Sequence, residues 1–232
     1  RRLMPEVEME VVLVGRDPGD WLKRNHIQTI PLETADPSRR QVIVVFDEIA
    51  SERKSEIFRQ LAERMARGST VIFLRPEVFA QEGNALHWLP LKNKGTLLRI
   101  FGWVYPKDEW ARSHPMFEGL PAGGLMDYTY YRELIPDYVF SGLDTPAEAA
   151  AGAMETSFRY SSGLLVGVYK LGAGRFVLNT LRIQENLDTH PAAERLLRNM
   201  IRFAGQEANQ PLPPLPADFE EVLAGLGYPV SK

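Results

Sequence analysis

The chain has 232 residues, of which 44% are hydrophobic and 25% are charged, and its formal net charge is -3. This composition is that of a globular protein with enough apolar side chains for a substantial core. No block of five or more basic residues occurs, and no apolar run reaches the roughly 18 residues that a membrane helix requires, so we expect neither a nucleic-acid partner nor a membrane. The chain has no cysteine, which excludes disulfides, thiolate metal ligands and a cysteine nucleophile.

The first third of the chain predicts a parallel sheet. Apolar runs indicate strands at Glu10 to Gly15, His26 to Ile30, Gln41 to Phe46 and Thr70 to Leu74. Between the last two strands, residues 51–67 carry an apolar stripe at helical spacing, formed by Ile57, Phe58, Leu61, Ala62 and Met65. A strand, a helix and a strand with tight connections form a βαβ unit.

Residues 75–162 form an aromatic-rich insertion whose strand signals are weak and scattered. Leu97 to Val104 predicts a strand, whereas the Ala-rich stretch from Ala147 to Ala153 predicts a loop or a turn of helix. On an α/β scaffold, a long insertion of this kind commonly carries specificity or partner contacts.

Regular patterning returns after residue 162. Leu164 to Lys170 and Arg175 to Thr180 predict two strands, and the Gly172-Ala173-Gly174 segment between them predicts a hairpin turn. A strand, not a helix, follows these glycines, so they do not indicate a phosphate-binding loop. A helix is then predicted from Pro191 to about Gly205, with an apolar stripe of Ala193, Leu196, Leu197, Met200, Ile201 and Ala204.

These patterns divide the chain into an α/β domain at residues 1–205 and a tail at residues 206–232. The tail is Pro-rich over residues 210–216, which favours an extended conformation. A short helix capped by Asp218 is predicted to follow.

Two segments have amino-acid sequences specific enough to indicate a protein family. Residues 172–182 read GAGRFVLNTLR and are followed by ENL and HPAAERLL, while residues 113–121 read SHPMFEGLP. The first segment resembles the C-terminal class I glutamine amidotransferase-like domain of large bacterial glycoside hydrolases, especially the β-galactosidase-like members of family 2. The second resembles the HPxxxGLP segment of amidotransferase-like and trehalose-utilisation-like domains.

The resemblance implies a flavodoxin-like, three-layer α/β sandwich with a mostly parallel sheet and a late antiparallel hairpin. It also implies attachment behind catalytic barrel and β-sandwich domains, in a bacterial protein of the periplasm or the exterior more than of the cytoplasm. The other domains of the same polypeptide are then the expected partners. The first residue is Arg1 in place of methionine, which agrees with a piece of a longer polypeptide.

Active members of the family that the chain resembles carry a cysteine on a strained turn after a central strand, with a His and a Glu after a later strand. The matching turn here reads Arg75-Pro76-Glu77-Val78 and has no cysteine, serine or threonine, and its proline fits poorly into a tight nucleophile elbow. Glu185 follows the later strand without an adjacent histidine. The resemblance therefore implies that this domain is non-catalytic.

Three residues are nevertheless candidates for a catalytic site. Asp47, beside Glu48, follows a predicted parallel strand, where open α/β sheets place ligands. His114 precedes a proline and is either a ligand or a structural turn residue, and Glu185 is the third candidate. His87 and His26 have no nearby second ligand at metal spacing, and we expect neither a metal nor a cofactor.

Five aromatic residues of the insertion are candidates for contact with a carbohydrate or with a protein partner, including a second copy of the chain. Aromatic faces with polar rims serve both purposes, and ordinary core packing is the third interpretation. The candidates are Trp103, Tyr105, Trp110, Tyr128 and Tyr130.

Two hypotheses of function follow. The first is a non-catalytic accessory or interaction domain from a carbohydrate-active glycoside hydrolase. The second is a free-standing hydrolase with a carboxylate and histidine site formed near Asp47, His114 and Glu185.

Overall fold

A computed structural model of the chain describes residues 4–46, 49–100, 108–156, 160–208 and 210–229. Within these ranges the strands form a single mixed sheet. Its strands are β1 (Val11–Val14), β2 (Thr29–Pro31), β3 (Val42–Val45), β4 (Thr70–Phe73), β5 (Thr96–Arg99), β6 (Glu109–Ala111), β7 (Gly124–Leu125), β8 (Tyr138–Ser141), β9 (Glu148–Glu155), β10 (Ser161–Leu171) and β11 (Gly174–Asn179).

Helices accompany the sheet, as the prediction of an α/β chain requires. They are α1 (Trp21–Arg24), α2 (Lys54–Ala66), α3 (Tyr128–Tyr131), α4 (Pro191–Gly205) and α5 (Phe219–Leu226). None of the helices in the described part of the chain is both long enough and apolar enough to cross a membrane. The α/β class is thereby confirmed.

The sheet has a parallel half and an antiparallel half. The parallel half has the order β2-β1-β3-β4-β11, and every neighbouring pair in it is parallel. β10 then pairs antiparallel with β11, and β9, β6 and β7 continue the sheet in antiparallel fashion beyond β10. The pair β5–β8 attaches to β10 through β8. The antiparallel part is thus larger than the single late hairpin that the sequence predicts.

Two apolar clusters lie on opposite faces of the sheet because side chains alternate along each strand. In β3, Val42 and Val44 face the cluster that contains α4, whereas Ile43 and Val45 face the cluster that contains α2 and α5. All of these side chains are buried. We call the first side the α4 face and the second side the α2 face.

The two long helices bury the stripes that the sequence predicts. Every residue of the predicted α2 stripe is buried in the α2-face cluster, and every residue of the α4 stripe is buried in the α4-face cluster. His190 caps α4, since its Nδ1 accepts a hydrogen bond from the Ala192 N–H (3.3 Å), and Pro191 occupies the first turn.

The predicted hairpin turn lies between β10 and β11. Gly172 has φ +59°, and a Cβ at this position would lie 2.7 Å from backbone atoms of Ala66. Only glycine combines this backbone conformation with so close an approach to α2. The turn interpretation of the Gly172-Ala173-Gly174 segment is confirmed.

The Ala-rich stretch is a strand and not the predicted loop or turn of helix. It forms most of β9, which pairs with β10 on one side and with β6 on the other. Alanine has little preference for strands, so the local sequence gives no strand signal. Pairing on both edges and the burial of Ala150, Ala151 and Ala153 determine the conformation instead.

Three other predictions differ from the structure in extent. The second strand begins at Thr29 and not at His26, and β5 covers Thr96–Arg99, while residues 101–104 of that predicted strand lie outside the described residues. The insertion contributes β5 to β9 to the sheet, because its short strands become regular only when they pair with β10 and with one another.

The tail closes the α2 face of the core. Asp218 stands at the N-cap position of α5, although its side chain makes no capping hydrogen bond. Arg59 of α2 forms an ion pair with Glu220 (2.5 Å), and the Tyr228 hydroxyl donates to the Trp88 carbonyl. Burial raises the pKa of Tyr228 far above its ordinary value, so this hydroxyl keeps its proton.

Candidate functional site

The turn after β4 contains Arg75-Pro76-Glu77, the segment compared above with a nucleophile elbow. Arg75 is in an ordinary extended conformation (φ -145°, ψ 145°), and Pro76 starts a short 3-10 helix, Pro76–Phe79. Val78 and Phe79 of this helix are buried, and Phe79 packs 4.8 Å from the ring of Phe73. The turn is therefore a packed connection without backbone strain, and it presents no nucleophile.

Arg75, within this turn, contacts two carboxylates. Its Nε donates to Glu77 (3.1 Å), and its Nη1 lies 3.6 Å from Glu185, which belongs to the short helix Gln184–Asn186 after β11. The ion pair links the ends of β4 and β11. Glu185, one of the three catalytic candidates, is thus paired with a cation.

The buried Asn179 completes this junction. Its Nδ2 donates to the carbonyls of Leu74 and Leu181 (2.8 Å each), and its Oδ1 accepts from the Leu181 N–H (3.2 Å). With these hydrogen bonds both donors of the amide are used by backbone carbonyls. The side chain holds the two strand ends together.

His114 caps the 3-10 helix Pro115–Phe117. Its Nδ1 accepts from the Met116 N–H (3.2 Å), which leaves the proton of the neutral ring on Nε2, and Nε2 donates to Glu148 (3.0 Å). The side chain is only 9% exposed and packs 5.1 Å from the ring of Phe203. This is the structural-turn role that the sequence left open beside ligand binding.

The topology separates His114 from Glu185. Phe203 lies near the C-terminus of α4 and stacks with Arg175, which is at the start of β11 (4.5 Å). His114, packed on Phe203, is therefore near the beginning of β11, whereas Glu185 follows the end of that strand. The structure does not bring these two candidates together. The third, Asp47, lies with Glu48 outside the described residues.

The aromatic candidates divide into three groups. Trp103 and Tyr105 lie outside the described residues. Tyr130 is partly buried and packs edge-on against Tyr131 (5.2 Å), which is core packing, whereas Tyr128 is 39% exposed at the start of α3. Trp110, on β6, lines a cavity.

The cavity, which we call the open-face cavity, lies on the α2 face of the antiparallel half. Its volume is about 670 Å³, within the usual range for small-molecule sites. β9 and β10 form its floor, Trp110 of β6 borders it, and residues 142–146, between β8 and β9, form a further wall. Its apolar lining includes Phe140, Leu143, Pro146, Met154 and Leu164.

The position of Trp110 depends on a glycine. β6 and β9 pair so that Trp110 stands opposite Gly152, and a Cβ on Gly152 would lie 2.5 Å from the indole ring. The indole therefore lies directly against the backbone of β9. A side chain at position 152 would displace it.

Tyr169 lines the same cavity. It is 2% exposed and stacks on Phe176 (5.3 Å), and its hydroxyl is buried without a hydrogen-bond partner in the described part of the chain. Burial, followed by the nearby Asp144 carboxylate, raises the pKa of Tyr169, so the hydroxyl stays protonated. Leaving a buried hydroxyl unpaired costs roughly 1–3 kcal/mol.

Two opposite charges border the cavity. The Arg112 guanidinium lies 5.6 Å from the centre of the Trp110 ring and makes no ion pair with a described residue. Asp144 accepts the backbone N–H groups of Lys92 and Asn93 (3.1 Å each), and its carboxylate likewise makes no ion pair within the described ranges. Both groups can therefore contact a ligand.

Sequence reasoning singled out Trp110 but missed Tyr169, Arg112 and Asp144. Tyr169 appears only as a strand residue among valines, and the two charged residues stand in segments without a motif. These residues come together through the pairing of β6, β9 and β10, which no local pattern encodes. No group of three or more histidine, aspartate or glutamate residues suited to a metal occurs in the described ranges.

Comparison with known proteins adds no relative to this description. Searches against protein-family models and against curated protein sequences both gave no match for the chain.

Proposed function

We propose that the chain is a non-catalytic accessory domain of a carbohydrate-active glycoside hydrolase, with a flavodoxin-like, amidotransferase-like fold. The strand order β2-β1-β3-β4-β11 supports the fold, because it corresponds to the 2-1-3-4-5 order of flavodoxin-like sheets. Helices on both faces agree with three layers. In this role the domain packs against the other domains of its polypeptide or against a second copy.

The turn after β4 carries the proposal. A catalytic amidotransferase-like domain requires a nucleophile on a strained elbow, together with a base that activates it. Here the position holds Arg75-Pro76-Glu77 in an unstrained conformation, and Arg75 pairs with the carboxylate of Glu185. The sheet is retained without the catalytic groups.

A turnover assay tests the absence of catalysis. The purified chain is incubated with glutaminase, amidase, esterase and glycosidase substrates, next to the Glu185→Gln and His114→Ala variants. We expect all three proteins to give the buffer rate. Turnover by the native chain that either substitution abolishes would overturn the proposal in favour of a carboxylate and histidine hydrolase.

The genetic context tests the accessory role. We expect the natural reading frame to continue upstream of Arg1 with several hundred residues that encode a barrel-type catalytic domain. A reading frame that opens near Arg1 would contradict this role and leave a free-standing protein.

A further inference from the structure

The inference starts from the hydroxyl of Tyr169. The Tyr169 side chain lines the open-face cavity, and its hydroxyl is buried without a hydrogen-bond partner among the described residues. A buried hydroxyl of this kind is satisfied if a ligand oxygen reaches it. The cavity therefore favours a ligand with a hydrogen-bonding group near Tyr169.

The other lining groups restrict the chemistry of that ligand. Trp110, Met154 and Leu164 offer flat or apolar surface for the face of a ring. Asp144 can accept from hydroxyl groups, and Arg112 can donate to them. A neutral ligand with several hydroxyl groups can hydrogen-bond to both of these opposite charges at once.

We propose that the open-face cavity binds a short neutral saccharide. The apolar C–H face of one sugar ring packs against Trp110, and ring hydroxyls hydrogen-bond to Tyr169, Asp144 and Arg112. This inference rests on the proposed function and deepens it, since it gives the accessory domain a ligand class. Binding involves no bond breaking, so catalytic groups are not required.

Titration calorimetry and saturation-transfer NMR on the purified chain test the proposal. The probes are glucose, galactose, mannose, xylose and their β-1,4-linked disaccharides, with glucuronate, phenylalanine and adenosine as comparison ligands. We expect at least one neutral saccharide to bind, and to bind more tightly than each comparison ligand.

Two substitutions locate the binding. Trp110→Ala should weaken the saccharide roughly tenfold or more through lost ring contact. Tyr169→Phe should weaken it roughly three- to tenfold through one lost hydrogen bond. The matched controls are Tyr138→Ala and Tyr138→Phe, which change an exposed tyrosine (43%) outside the cavity and should leave the Kd unchanged.

Thermal unfolding separates ligand binding from a structural role. Since the Tyr169 hydroxyl has no partner within the described ranges, Tyr169→Phe should leave the Tm of the free chain equal or higher while it weakens saccharide binding. A hydroxyl with a structural role would instead lower the Tm. If Trp110→Ala does not fold, the binding and unfolding measurements on Tyr169→Phe still test the proposal.

Four results would overturn the inference. The first is that no saccharide binds to the folded chain, and the second is that phenylalanine, adenosine or glucuronate binds more tightly than any saccharide. The third is that the cavity variants and the control variants have equal affinities. The fourth is a concentration-dependent dimer that Trp110→Ala abolishes. The turnover assay is independent of the binding measurements. Binding without turnover supports both proposals, whereas turnover overturns only the non-catalytic role.

Discussion

The two halves of the sheet differ in how fully their two faces are covered. In the parallel half, apolar side chains are buried on both faces, and α2 and α4 lie on opposite sides of strands such as β3. In the antiparallel half, the α4 face is buried in the same way, whereas the α2 face carries the open-face cavity with Met154 44% exposed. Stability is therefore concentrated in the first half, and accessible binding surface in the second.

The difference explains where a binding site can arise on this chain. A strand covered on both faces has no room for a ligand, and its substitutions are constrained by dense packing. A strand covered on one face can exchange side chains on its free face at little cost in folding. The predictions below test this contrast, beginning with the largest expected effect.

Truncation of a large side chain should separate the halves most clearly. Phe73 of β4 is fully buried among aromatic rings, so we expect Phe73→Ala to lower the free energy of unfolding by about 3–5 kcal/mol. Met154→Ala on the free face should change it by less than about 0.5 kcal/mol. Urea unfolding at pH 7 measures both, and comparable losses would contradict the contrast.

A buried carboxyl group gives the antiparallel half a distinct pH response. Glu109 of β6 is 5% exposed, and burial, with a smaller contribution from Asp108, raises its pKa from 4.5 to about 7. Because the folded-state pKa is the higher one, the stabilising protonated form is present below pH 4.5. Its contribution is lost as the pH rises from 4.5 to 7.

We therefore expect Glu109→Gln to be more stable than the native chain above pH 7, by up to about 3 kcal/mol, and the gap to close toward pH 4.5. Urea unfolding at pH 5, 6, 7 and 8 measures this gap. Glu6→Gln, at an exposed position, should show no such trend. A gap that is constant across the range would show that the Glu109 carboxyl is not responsible.

The packing of Trp110 against β9 can be disturbed without replacing the tryptophan itself. Gly152→Ala places a methyl group 2.5 Å from the ring and 2.6 Å from the Gly163 carbonyl oxygen, so we expect a loss of roughly 1–3 kcal/mol from overpacking, and a changed near-UV circular dichroism spectrum reports the displacement of the indole. Gly124→Ala, on the neighbouring strand β7, is the matched control because its Cβ meets nothing within 4 Å. If both variants behave alike, the indole does not depend on this glycine.

The smallest effect is expected at the ion pair between Glu185 and Arg75. The carboxylate of Glu185 is 39% exposed and its partner Arg75 is 26% exposed, so solvent screens the pair. Glu185→Gln should change the free energy of unfolding by less than about 1 kcal/mol, and less still in 1 M salt. A loss of several kcal/mol would instead make this junction a major determinant of stability.

The parallel half could be predicted from the sequence because its elements carry their own signals. β3 is a continuous apolar run, and the stripes of α2 and α4 repeat at helical spacing. The hairpin turn could be predicted because glycine is the residue that most readily adopts the positive φ found at Gly172. In each case a few consecutive residues contain the physical cause of the structure.

The antiparallel half lacks such local causes. β9 is rich in alanine and becomes a strand only between β10 and β6, and the cavity needs residues from four separated segments. Trp110 was identified by its chemistry alone, whereas the unpaired state of the Tyr169 hydroxyl is a property of the folded chain. Asp47, Trp103 and Tyr105 lie outside the described residues and remain predictions.

The place of β11 in the sheet has a consequence for how the chain folds. This strand ends at residue 179, yet it lies between β4 and β10 and thus joins the two halves. During synthesis from the N-terminus, β1 to β4 emerge long before the strand that completes their open edge. The pairing of residue 70 with residue 175 closes a loop of about a hundred residues, and contacts so distant in sequence slow folding. The edge of β4 therefore stays open to wrong pairing in the nascent chain until β11 arrives.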